Sequence, residues 1–395
     1  MKQLLDISNN VFFFLLLGFL FLVNFSIAGC YIIFFLLAIG LIVIFVSRSP
    51  FPWPGLPKFY KYFLLYILFS LISTIFSINK LESLKDNREF FVFLLIPIFL
   101  IIINSKKRLD YSLLTVLASA VISALIGIFI TIKEGVSLDH RLHGLTSHWM
   151  TYSGLLMFAF IFFFVTFVYE KRKKNKLMLA VSLLIILTSI LLSLTRNVWV
   201  GIFISIGMFI VYYRPKILYI AIPGLILLVF ILPASVKGRV TSIFDMKNET
   251  NRDRFYMFKA GMNIFKDYPL TGVGAANLEK VYDDYKPAEA KLSNPHLHNN
   301  FLQELAERGI FALVSLLAAF VSIIILLIKK IKNSIGFEKM VATGVLFAFI
   351  GFLVSGLFEY NFGDTEIKFM LFYFLSIPFV ALKEKKEKVE VRDMK

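Results

Sequence analysis

Roughly twelve apolar segments run through this chain, each near the ~20 residues that cross a bilayer as a helix, and they leave few folds open to it. Their approximate limits are 11–28, 30–47, 59–78, 89–105, 111–132, 149–169, 177–194, 198–213, 217–233, 310–328, 339–358 and 366–382. The expected fold class is an all-α polytopic membrane protein of about twelve transmembrane helices. Composition agrees. The chain is 58% hydrophobic and only 17% charged, where a soluble domain has roughly a quarter of its residues charged.

The net charge of +16 raises the question of a nucleic-acid partner. Its distribution answers it. Lys and Arg gather in short runs between spans, at "KKR" 106–108, "KRKKNK" 171–176, "KKIK" 329–332 and the tail "KEKKEKVEVRDMK". An even number of spans puts both termini on one side. With that side cytoplasmic, the inner segments hold 24 of the 42 Lys and Arg, which is the positive-inside pattern.

The chain then divides into helices one to nine (1–233), a long outer region with amphipathic helices (234–309), helices ten to twelve (310–382) and a basic cytoplasmic tail (383–395). In the outer region, "NRDRFYMFKAGMNIFKDYPLTGVG" reads as an amphipathic helix, with Phe255, Phe258, Met262 and Phe265 at helical spacing. The lone Cys30 excludes an intrachain disulfide. It ends "IAGC", which resembles a lipoprotein cleavage box, but another span follows directly, so an uncleaved first helix is expected.

Polar residues concentrate on the outer side. Arg196 lies in "SLTRNVWVG", at the tip of a tight hairpin between spans seven and eight; polar residues at such depth are costly and often functional. Arg252 and Arg254 open the amphipathic helix, where basic residues oppose the macrodipole, so an anionic ligand is a natural use for them. "TGVG" (271–274) offers backbone N–H groups to a phosphate. In "SNPHLHNNFLQELAERGIFAL", a helix can run from Asn299 into span ten. Leu302, Leu305, Ala306 and Gly309 share one face, with Gln303, Glu304, Glu307 and Arg308 on a solvated opposite face. His298 falls just before that helix, at the membrane–water boundary, where a neutral imidazole can accept a proton. His296-x-His298 with Glu304 offers three candidate metal ligands, but no cysteine or carboxylate cluster supports them, and no metal site is expected. "FEYNFGDTEIKF" (358–369) adds Glu359, Asn361, Asp364 and Glu366.

These islands together resemble the O-antigen ligase family, within the larger superfamily of bacterial membrane O-antigen ligases, polymerases and protein-glycosylating oligosaccharyltransferases. The family signature is His, then Asn, Ser or Gln, nine residues and Gly; His298-Asn299, Asn300 to Arg308 and Gly309 reproduce it. Ala312 departs from the Gly, Thr or Tyr that often follows. "TRNVWVG" is similar to Ser-Arg-x-x-Trp-x-Gly, retaining Arg196, Trp199 and Gly201. "RFYMFKAGMNIFKDYPLTGVG" is similar to the family's arginine helix, with Arg254 in the arginine place. Arg141, in "RLHGLTSHWMTYSG", is a weaker match.

The resemblance implies a GT-C-like glycosyltransferase of the bacterial inner membrane with its active site facing the periplasm. It would join a glycan carried on undecaprenyl diphosphate to a hydroxyl of the lipid A core. Arg196 and Arg254 would bind the donor diphosphate, His298 would be catalytic, and no cofactor would be needed. Arg141, Trp199, Arg252, His296, Asn299, Glu304, Gly309, Glu359, Asn361 and Asp364 are possible supporting residues. An O-antigen or exopolysaccharide polymerase and a protein-glycosylating oligosaccharyltransferase are the nearest alternatives. A non-enzymatic lipid-linked glycan flippase would want basic residues along the helix interiors, and these spans are nearly free of charge.

Overall fold

The computed structural model describes residues 2–47, 55–135, 141–213, 215–217, 219, 223–224, 234–243, 245, 248–290 and 292–381. Among the described residues every regular element is helical. The chain opens with α1 (Lys2–Leu22), α2 (Ile27–Ser47), α3 (Tyr60–Ile75), α4 (Lys80–Asp86), α5 (Leu95–Ile102), α6 (Lys106–Glu134), α7 (Trp149–Tyr169), α8 (Lys173–Leu192) and α9 (Arg196–Tyr213). Three shorter or more polar helices follow, α10 (Ala234–Thr241), α11 (Glu249–Asp267) and α12 (Leu278–Tyr285). The last are α13 (Asn300–Asn333), α14 (Gly336–Ser355) and α15 (Thr365–Ser376). Six of these, α6 to α9, α13 and α14, are long and apolar enough to cross a membrane, and the protein is a multi-pass membrane protein.

Two expected spans take another form. Segment 89–105 is a 3-10 turn, Asn87–Leu94, leading into the eight residues of α5. Pro97 has no N–H to donate and is tolerated only in a first helical turn, so the α-helix restarts just ahead of it. Segment 366–382 is α15, which gives way to a 3-10 turn around Pro378. Its 12 residues rise about 18 Å, short of the ~30 Å hydrocarbon core, and all of them are buried. It is a core helix that lipid does not reach. Most of segment 217–233 and all of the tail 383–395 lie outside the described residues.

The core is built where α14 packs against α7 and α9, and where α13 packs on α3. A Cβ on Gly201 would stand 2.8 Å from the Gly351 carbonyl, so glycine lets α9 and α14 approach closely. Aromatic rings fill the space between helices, with Phe158 stacked on Phe352 and Phe374.

α13 is broken at Gly309, whose φ of +77° only glycine adopts readily. The loop Pro269–Gly274 crosses there. Val273 N–H donates to Ala306 O (3.0 Å), Gly274 N–H to Glu307 O (2.8 Å) and Ile310 N–H to Pro269 O (3.0 Å). Gly272 N–H donates to Tyr268 O (3.0 Å). The N–H groups of "GVG" are therefore engaged, and this loop is a structural crossing and not the phosphate cradle its glycines suggested.

The expected apolar face of α11 is also corrected. Phe255 and Phe258 are more than half exposed, while Met257, Ala260, Gly261 and Ile264 are buried. A Cβ on Gly261 would meet Leu302 at 2.8 Å. The small residues let α11 lie close on α13, so that stripe faces the protein; Phe255 and Phe258 face away, while Met262 packs partly against the same cluster and Phe265 is half-buried.

Candidate active site

Four helix ends converge on one side of the bundle: the starts of α7, α9 and α13, and the end of α14. The starts bring positive dipole ends together, an arrangement that favours anions. The ends are stitched by caps. His148 Nδ1 accepts from Met150 N–H at the start of α7 (3.2 Å). Asn299 Oδ1 accepts from Phe301 and Leu302 N–H at the start of α13, both 2.9 Å. Its Nδ2 donates to Leu357 O (3.0 Å). Asn300 donates Nδ2–H to Asn361 Oδ1 (2.6 Å) and accepts from Phe362 N–H (2.9 Å). Asn299 and Asn361 thus fasten the loop after α14 to the start of α13.

That fastening places Glu359 against both histidines. His298 Nδ1 lies 2.8 Å from Glu359 Oε2, and His296 Nε2 lies 3.2 Å from Oε1. A carboxylate only accepts, so Nδ1 of His298 carries the hydrogen and its Nε2 keeps the lone pair. His298 has φ of +47°, uncommon for a residue with a Cβ. Glu359 is 5% exposed. Burial works against its charge, but the hydrogen bonds from the two histidines outweigh burial and hold its carboxyl well below the usual range. The ring nitrogens of His296 and His298 and a Glu359 oxygen lie within 4.8 Å of one another, a set that could hold a metal ion. Glu304, the third ligand considered from the sequence, is not part of it.

Glu304 instead accepts from the hydroxyls of Tyr66 (2.8 Å) and Tyr360 (3.2 Å), and Arg308 Nε lies 3.2 Å from it. Arg308 donates to Asp86 and Asn87. Gln303, Glu304, Glu307 and Arg308 are all buried. The expected solvated face is therefore an internal polar seam: Tyr66 of α3, Asp86 of α4 and Asn87 meet Glu304 and Arg308, and Leu278 N–H of α12 donates to Glu307 (3.3 Å).

The arginines arrive from separate elements. Arg196, 5% exposed, is the first residue of α9. It donates to Ser242 O (2.8 Å), Ser242 Oγ (3.2 Å) and Thr250 Oγ1 (3.0 Å), all neutral groups. Arg196 also lies in the field of Arg254 and Arg141. Arg254, on α11, has no hydrogen bond or ion pair among the described residues. Burial lowers its pKa, and the field of Glu359 works the other way, which joins the arginine group to the histidine group. Arg141 stacks over Trp149 (4.8 Å). Trp199 donates Nε1–H to Ile190 O (3.0 Å), locking the α8–α9 hairpin. Arg252 is exposed and joins none of these contacts.

Two nearby groups change the electrostatics. Asp364 accepts from Thr151 Oγ1 (3.0 Å). Burial, with the charges of Glu366 and Glu359, pushes its carboxyl up to about 7 against the Thr151 bond. His148, which sequence reasoning passed over, has its pKa lowered by burial while Glu359 pulls the other way. Its signal was a histidine in the cap position ahead of an apolar run.

Fold and site together define a helical membrane protein with a histidine–carboxylate pair beside buried Arg196 and half-buried Arg141 and Arg254 at one end of its bundle. Residues 181–317 match the model of a family described as O-antigen ligase. That stretch holds Arg196, Arg254, His298 and Gly309. The resemblance read from the motifs is borne out over this stretch, and it supports a membrane function of the O-antigen ligase or polymerase type. No curated protein matches the chain.

Proposed function

We propose that the protein is a glycosyltransferase that moves a glycan from undecaprenyl diphosphate to a hydroxyl of the lipid A core, on the periplasmic side of the bacterial inner membrane. The observation that carries this reading is the hydrogen bond from His298 Nδ1–H to buried Glu359, within the field of Arg254. The twelve-span, GT-C-like architecture with cytoplasmic termini and a periplasmic 234–309 region belongs to the same proposal.

In the reaction, the acceptor oxygen attacks the anomeric carbon of the donor sugar. A glycosidic C–O bond forms as the bond from that carbon to the diphosphate oxygen breaks, and its electron pair leaves with the phosphate. The acceptor proton passes to His298 Nε2, and Glu359 stabilises the imidazolium that results. Direct displacement inverts the anomeric centre. Arg196 and Arg254 stabilise the charge gathering on the departing diphosphate, as permanently charged bidentate donors. That role needs neither metal nor nucleotide.

The test mixes purified protein with lipid-linked glycan and a series of acceptors. Product mass distinguishes transfer to lipid A core from glycan polymerisation and from protein glycosylation. Absence of product with any acceptor overturns the transferase reading.

A further inference from the structure

We infer that Arg239 supplies a third guanidinium to the donor diphosphate, and this inference rests on the donor reading above. Arg239 sits on α10, outside the motifs that pointed to Arg196 and Arg254. Its Nε–H donates to Leu194 O (3.1 Å), at the tip of the α8–α9 hairpin. Leu194 has φ of +53°, a strained position that turns its carbonyl within reach. One turn at the end of α10 ties the two arginines together. Ser242 donates Oγ–H to Arg239 O (2.7 Å) and accepts at its own carbonyl from Arg196 (2.8 Å). Nε is thus engaged. The two Nη groups have no hydrogen-bond or ion-pair partner among the described residues.

The charges that bear on Arg239 are Arg196, Arg141 and Arg254, all of its own sign. With burial as the larger cause, they lower its pKa to about 10. Four guanidiniums drawn together at a half-buried site cost stability in the free protein. An arriving polyanion reverses that cost. A glycosyl diphosphate carries a negative charge on each phosphate, and the terminal phosphate gains another when the sugar leaves. Arg239 is placed to receive it beside Arg196.

The experiment measures binding of undecaprenyl diphosphate and of undecaprenyl monophosphate to purified wild-type, Arg239→Gln and Arg239→Lys protein, with thermal unfolding of each as a control. Having lost a charge-assisted hydrogen bond, Arg239→Gln is expected to bind the diphosphate roughly tenfold or more weakly. The monophosphate should change less than about threefold, and Arg239→Lys should recover part of the diphosphate affinity. Equal loss for both lipids, tracking a fall in Tm that lysine does not rescue, would mean a structural role and overturn the inference. Unchanged diphosphate affinity in Arg239→Gln would overturn it alone. Wild-type protein indifferent to the diphosphate would sink the donor reading and the inference with it.

Discussion

The Nδ1 atom of His298 lies 2.8 Å from Oε2 of Glu359, across 61 residues of sequence. The contact fixes which ring nitrogen holds the hydrogen and leaves Nε2 to act as a base. Glutamine at 359 can accept from the same nitrogen but cannot stabilise an imidazolium by charge. Glu359→Gln is therefore expected to lower kcat by on the order of 100-fold, with the donor KM changed little. Steady-state kinetics on the purified variant check this; an unchanged kcat would show that His298 works without its carboxylate.

Asp364 gives stability a pH slope. Its folded pKa of about 7 lies above the ordinary value of 3.8. A raised pKa means the folded state holds the proton more tightly. The stabilisation is fully present below the unfolded value and is lost as pH rises through about 7. Wild-type protein is expected to lose Tm between pH 5 and pH 8. Asp364→Asn, which keeps an acceptor for Thr151, should flatten that slope and melt higher than wild type at pH 8. Parallel melting curves across the range would contradict it.

Gly309 is fixed by both its backbone and its neighbours. An added Cβ would stand 2.2 Å from Leu270 O, at a φ of +77°. Gly309→Ala is expected to destabilise by roughly 1–3 kcal/mol from the backbone alone, with the steric clash added. The check is Tm and yield of membrane-inserted protein. A Tm within experimental error of wild type would show that the loop and α13 can part without cost.

The trio His296, His298 and Glu359 sets metal chemistry against proton transfer. If His298 acts as a base, chelation should leave turnover unchanged. Transfer assayed after dialysis against EDTA is expected to match the untreated rate. Strict dependence on an added divalent ion would favour a metal held by this trio.

Much of the scaffold was legible because the hydrocarbon core demands long apolar runs, and α6 to α9, α13 and α14 announce themselves that way. Pro97 and Pro378 interrupt two other runs, and hydropathy alone does not register a missing N–H. Arg196 and His298 stood out as polar groups beside apolar spans. Glu359 stood out as well, in the polar patch 358–369, but its pairing with His298 did not, because it reaches the ring only through the caps that Asn299 and Asn300 make with the loop after α14. Spacing likewise assigned Glu304 and Arg308 to solvent: an i,i+4 pair looks the same whether water or Tyr66 covers it. On α11, periodicity found an aromatic stripe, but close packing selected the stripe containing Gly261. The glycines of "TGVG" were read as a ligand loop, and their N–H groups serve the kink at Gly309.

The most direct test of the account is single-turnover transfer by purified His298→Ala protein, given lipid-linked glycan and lipid A-core acceptor and read by product mass. The expected result is a folded variant that binds undecaprenyl diphosphate with near wild-type affinity and forms no glycosylated lipid A core. Transfer at the wild-type rate would contradict the assignment of His298 as the group that takes the acceptor proton.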